Sequence, residues 1–232
     1  MDFMRNNQAQ MRAGSETATY DAGLRQYMLG VYNYMTGGVA LCAITAYIMA
    51  MILPMQLLMP VALLDFFAIL IYALAIFPKM PTMTVKGAQA TFWSFAVVLG
   101  VGSAYILHAY TGHAIIQAFL MTVSAFAGLS VVGYTTKKDL SAFGTFLIMG
   151  IVALIVGFVL NFLVFQSSAL TMALMAVGVL IFAGLTAYDT QKVRQSYYQG
   201  GTQQMAIYGA TMLFWDFVIM FKYIIALVGN RE

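Results

Sequence analysis

An all-α integral membrane protein of seven transmembrane helices is the fold this sequence predicts, and three observations predict it. Hydrophobic residues make up 62% of the 232 positions and charged residues only 8%, against ~25% charged in an ordinary soluble domain. Mean hydropathy is +0.85, so there is too little polar surface to clothe a globule in water. Seven apolar runs occur, each of a length that crosses a ~30 Å hydrocarbon core as a helix. Helices are favoured because each satisfies its own backbone in lipid, and the alternating pattern of an outer-membrane barrel is absent.

The runs lie at 29–53, 59–77, 88–107, 114–134, 142–165, 169–188 and 206–228. They define a polar amino-terminal segment, 1–28, and a seven-helix domain, 29–232. The segment carries Arg5, Arg12 and Arg25 without an early apolar stretch, which does not resemble a cleavable signal peptide. Lys79 and Lys86 follow the second run, Lys137 and Lys138 the fourth, Lys192 and Arg194 the sixth, while the intervening loops lack Lys and Arg. The positive-inside rule then puts the N-terminus in the cytoplasm and the C-terminus outside. The net charge of +3 is largely this topological signal. Its basic residues are spread over several segments rather than one stripe, so no nucleic-acid partner is expected; the lipid bilayer is.

Several local features set the helix ends. Pro54, Pro60, Pro78 and Pro81 gather around the ends of the second span, where a missing N–H does least harm. Small-residue pairs such as Ser124 with Gly128 and Ala153 with Gly157 suit close helix packing in lipid. Asp189 to Gln199 contains no breaker before Gly200-Gly201, so the sixth helix is expected to run on to Gln199. Asp139 precedes the fifth helix and suits its N-terminus. Cys42, the single cysteine, lies inside the first span and excludes an intrachain disulfide. His108 and His113 flank an external loop as interfacial polar residues.

Two aspartates stand out. Asp189 and Asp216 fall at or within the last two spans, where a carboxylate costs at least ~2.5 kcal/mol and marks an ion path, a proton relay or a buried partner. With Asp189 ten residues from Gln199 and Asp216 thirteen from Gln203, their depths are ~15 and ~20 Å on antiparallel neighbours. Held close, two carboxyls share a proton and titrate as a pair. Deprotonated, they offer hard oxygens to Ca²⁺, yet fall short of the roughly 6–8 ligands of a tight site, so binding should be weak and transient. The alternative is that each aspartate separately bonds a neighbouring helix. Asp65 and Lys222 each sit about six residues inside the outer ends of their spans, near ~9 Å deep, which predicts either an ion pair or a snorkelling Lys222 beside a protonated Asp65.

The stretch Gly184-Leu185-Thr186-Ala187-Tyr188-Asp189-Thr190-Gln191-Lys192 resembles the sixth-helix signature of the Bax inhibitor-1 (transmembrane BAX inhibitor motif) family, especially its bacterial YccA-like members. Tyr32-Asn33-Tyr34-Met35, Phe126-Ala127-Gly128-Leu129-Ser130, the run Gly133 to Ser141, and Asp216-Phe217 extend that resemblance over nearly the whole chain. It implies a seventh helix surrounded by the other six. It also implies a pH-sensitive calcium leak governed by an aspartate pair, which maps onto Asp189 and Asp216. A basic latch at the cytoplasmic end of the second helix falls on Lys79, which lacks the bidentate geometry of an arginine. Such relatives also suggest a regulatory partner role with a membrane protease, in which the aspartates would be structural.

Other classes fit poorly. A retinal photoreceptor would want an acidic counter-ion in the third span, which has none, and Asp216 and Lys222 do not share a helix face. No His-Glu-x-x-His, Gly-x-Ser-x-Gly or phosphate-loop pattern supports an enzyme. No cofactor is expected beyond Ca²⁺ as a permeant ion, and a bacterial inner membrane is the expected location.

Overall fold

In the computed structural model, residues 2–229 are described, with side chains from residue 22 onward except Met59. The side chains of Arg5 and Arg12 thus lie outside the described residues. Seven segments are long and apolar enough to cross a bilayer: Ala22–Ile52, Met55–Thr82, Val85–Ala109, Gly112–Thr135, Ser141–Phe165, Ser168–Tyr198 and Gln203–Val228. They are built from helices α1 (Asp2–Ile52), α2 (Met55–Ile71), α3 (Val85–Ser103), the short α4 (Ile106–Ala109), α5 (Gly112–Thr135), α6 (Ser141–Leu160), α7 (Ser168–Tyr198) and α8 (Gln203–Val228). The sixth and seventh spans are α7 and α8.

Hydroxyl side chains start four of these helices. Thr84, Thr111, Ser167 and Thr202 accept from the backbone N–H of Gly87, Ala114, Leu170 and Met205 at 3.2–3.4 Å. Each satisfies a donor that the first turn leaves without an intrahelical partner. At the other end, α7 stops at Tyr198, one residue short of expectation, and Gly200 and Gly201 turn the chain with φ of 119° and 48°. At φ 119° only glycine is free of strain.

Two spans depart from plain α-helix. After Ile71 the second span widens to a π-turn, Tyr72–Ile76, and then tightens to a 3₁₀ segment, Phe77–Thr82. Pro78 supplies the reason, since its ring collides with the carbonyl four residues back and it has no N–H to give. The fifth span also ends in a π-turn, Asn161–Phe165, closed by Gln166 at φ 48°. Asn161 secures it by donating to the Ser167 carbonyl at 3.0 Å and to Thr171 Oγ1 at 2.6 Å, and by accepting from Ser167 N–H.

α8 occupies the centre, packed against α1, α3, α5, α7 and the 3₁₀ end of the second span. Ile207, Ala210, Leu213, Phe214 and Met220 on it are fully buried. α3 is nearly as enclosed, through Phe92, Phe95 and Leu99. Trp215 stacks on Phe95 at 5.3 Å between ring centres, and Phe77 meets both edge-on. This trio ties the second, third and seventh spans at one level, with dispersion rather than a hydrophobic drive as the source of cohesion in lipid. α6 leans mainly on α7 and reaches α8 through Phe158, which stacks on Tyr223.

Small residues act where helices approach closely. A side-chain carbon at Gly133 would stand 2.2 Å from the Ala187 carbonyl oxygen, so α5 and α7 touch backbone to backbone there. Gly157 lies against Leu174 as its motif predicts. Gly128 meets nothing within 4 Å, so the Ser124–Gly128 pair is no packing seam.

Candidate functional site

α7 and α8 run antiparallel across a tight seam, where Gly209 accommodates Val193 and Gly178 accommodates Tyr223. Asp189 lies nine residues before the end of α7 and Asp216 thirteen after the start of α8, ~14 and ~20 Å from those ends. Their carboxyls face one another within hydrogen-bonding reach. Asp216 is buried and its Oδ2 has no hydrogen-bond partner among the described residues. Asp189 is half-buried and borders a cavity of about 140 Å³ with Pro81, Lys192, Ser196, Tyr208 and Met212. Lys192, one turn onward, is the cation whose field acts on Asp189, and its ammonium lies 5.8 Å from the centre of the Tyr188 ring.

The cover over this pair is uncharged, which corrects the expectation for Lys79. In the 3₁₀ segment three residues make a turn, so Phe77 and Met80 share the inward face and Lys79 points out. Met80 is fully buried, with its sulfur 4.0 Å from Thr211 Oγ1 of α8, and Pro81 lines the cavity beside Asp189. Lys79 is exposed and makes no ion pair among the described residues; its carbonyl accepts from Thr82 Oγ1. Among the described residues no charged latch is formed.

A set of residues absent from the sequence-based candidates fastens the α5–α6 loop to α7 near the pair. Gln191 donates to the Lys138 carbonyl at 2.7 Å and accepts from Leu140 N–H at 2.9 Å. Arg194 donates to the carbonyls of Tyr134 and Thr136, at the C-terminal end of α5. The α5 end needs such donors because its last carbonyls have none within the helix. Thr190 and Ser130 approach at 3.5 Å across the same seam. The signal was present in sequence, as polar residues in a helix extended past its apolar run, but their partners are fifty or more positions away.

Asp139 accepts from both Ser141 N–H and Ser141 Oγ, at 2.9 and 2.6 Å. These bonds, the hydroxyl one first, hold its carboxyl below the ordinary carboxylate range. A depressed folded value means stabilisation that is complete above the unfolded value near ~3.9 and fades as pH falls through the folded one. Asp139→Ala is therefore expected to speed amide exchange at residues 141–144 at neutral pH, with the difference from wild type vanishing in acid. An acid-insensitive difference in hydrogen-exchange mass spectrometry would contradict this.

Asp65 and Lys222 are near enough to feel each other's charge, but no direct ion pair joins them among the described residues. The Asp65 carboxyl instead fills the hollow at Gly102, where an added side-chain carbon would stand 1.8 Å from Oδ2; Oδ1 has no hydrogen-bond partner. Of the two alternatives, the direct ion pair is not formed among the described residues, because position along two helices does not fix the direction in which side chains point. Elsewhere Cys42 is buried in packing, and His108 Nε2 lies 3.0 Å from the Ala50 carbonyl. Among the described residues no three His, Cys, Asp or Glu side chains converge, so the two central carboxyls offer only a partial cation shell.

Comparison with known proteins agrees with this architecture. The family described as "Inhibitor of apoptosis-promoting Bax1" matches residues 24–232. A Rickettsia prowazekii protein, RP147, is 36% identical, covering 94% of this chain and 95% of its own. A Caulobacter vibrioides protein is 34% identical over 100% and 99% of the two chains. "Inner membrane protein YbhL" of Escherichia coli K12 is 34% identical over 91% of this chain and 94% of its own. With the match running from the first span through the aspartate-bearing helices, this chain belongs to the Bax inhibitor-1 family.

Proposed function

We propose that this protein is a passive, proton-gated cation leak of a bacterial inner membrane, with Ca²⁺ as permeant ion and Asp189 and Asp216 as gate. The observation that carries this reading is the facing pair of carboxyls between α7 and α8, one of them bordering a cavity beside Lys192. While the pair holds a proton, a hydrogen bond joins the two helices. When that proton leaves, like charges repel across the seam. Four carboxylate oxygens then face the path, enough to attract a hard cation but too few to retain it. Met80 and Pro81 close the route on the Lys192 side, and opening would require the 3₁₀ segment to swing aside. Its distorted π and 3₁₀ turns suit such motion, because both make poorer hydrogen bonds than an α-helix. The proposed orientation has the N-terminus in the cytoplasm, in keeping with the distribution of Lys and Arg, and the location matches the name of the Escherichia coli relative.

Purified protein in liposomes loaded with a calcium dye tests the proposal. Wild type is expected to pass Ca²⁺ with a rate that rises as pH rises. Asp189→Asn and Asp216→Asn should each flatten that pH response. Unaltered flux and unaltered pH response in both variants would remove the pair from the mechanism and favour a regulatory role with a membrane partner.

A further inference from the structure

A cavity larger than the one beside Asp189 lies apart from the aspartate pair. α1 and α5 both pack on α8 but leave a groove of about 770 Å³ between them, with Phe217 of α8 as its floor. Toward the opposite membrane face a second cavity of about 350 Å³ continues along α1 and shares Val39, Phe119 and Phe217 with the first. Below its rim the larger groove is mainly apolar, with Thr36 and Ser130 as hydroxyl residues in its lining. From Leu29 to Val39 it runs ten residues along α1, ~15 Å, or half of a ~30 Å hydrocarbon core. It is one leaflet deep.

Charge is unequally placed along it. Exposed Arg25 stands at the rim of the larger groove, with Tyr134 of α5 opposite. Lys137 and Lys138 follow the end of α5, and Arg194 is anchored on the Tyr134 and Thr136 carbonyls at the same corner. Asp139 is the acidic side chain of that loop and is occupied by Ser141. The smaller groove contains no Lys or Arg. Basic clusters at the end of membrane helices recognise acidic lipid headgroups.

The geometry points to a binding site for an acidic phospholipid in the leaflet on the Arg25 side, with its phosphate on Arg25 and its acyl chains between α1 and α5 against Phe217. The occupant touches the residue that follows Asp216, so it would bear on the helix carrying half of the pair. The site itself does not depend on the proposed leak.

Native mass spectrometry of the full chain, released from mixed micelles containing phosphatidylglycerol and phosphatidylcholine of matched chains, tests this. Wild type should retain phosphatidylglycerol preferentially. Arg25→Gln should reduce that preference about fivefold, the effect of one cation near an anionic surface, and Arg25→Lys should largely keep it. Val123→Trp, which fills the groove from a lipid-exposed position, should remove the adduct whatever its headgroup. Ala127→Leu serves if that variant does not fold. Equal retention of both lipids by wild type, an unchanged preference in Arg25→Gln, or a retained adduct in the folded groove-filled variant would overturn the site. So would a lipid-free dimer cross-linking through cysteines placed at Val123.

Discussion

Gly133→Val is expected to cost ~1–3 kcal/mol or more of stability, the range for overpacking where nothing can yield. The added carbon would meet the Ala187 carbonyl oxygen at 2.2 Å and its carbon at 2.9 Å. Backbone cannot swing away as a flexible side-chain end can, so α5 and α7 must part. Ala187 is two residues before Asp189, and the loop fastened by Gln191 and Arg194 hangs from the same seam. The displacement should therefore reach the aspartate pair as well as the packing. Gly128→Ala is the control, because nothing lies within 4 Å of that position and alanine is the better helix former by ~1 kcal/mol. Thermal unfolding in detergent should show a large loss for the first and little or a small gain for the second. Equal behaviour of the two variants would mean that α5 and α7 do not meet in this way.

The second large effect is energetic coupling between the two aspartates. Asp189→Asn and Asp216→Asn remove either acid while preserving shape and leaving an amide that can still hydrogen-bond. For groups in contact, the double variant should depart from the sum of the singles by ~0.5–3 kcal/mol. A pair joined by one proton depends on both members, so removing the second acid after the first should cost less than removing it from wild type. Measured unfolding free energies of the four proteins give the coupling directly. Additivity would place the two carboxyls in separate hydrogen-bonding arrangements and make the shared proton untenable, whatever the flux assay shows. Such energies also separate a structural loss from a gating one, since a variant can unfold early and yet conduct normally while folded.

Much of this arrangement was legible along the chain. Lengths of apolar runs determined the seven spans, because a helix in lipid needs about 20 residues to cross. Gly200-Gly201 determined where α7 stops, and counting from that stop gave Asp189 and Asp216 compatible depths. Composition determined the class, as so few charged residues leave no soluble alternative. What tertiary structure alone decided was direction and partner. Lys79 and Met80 are adjacent in sequence, yet 3₁₀ winding around Pro78 sends one to solvent and buries the other. Asp65 and Lys222 do not join, because the hollow at Gly102 takes up the carboxyl. The Gln191 and Arg194 fastenings and the groove between α1 and α5 arise from segments fifty to a hundred positions apart. Hydropathy is a sum over neighbours in the chain and sets how far each residue enters the bilayer. Rotation of each helix about its axis is set by contacts among spans, and that rotation determines which carboxyls meet.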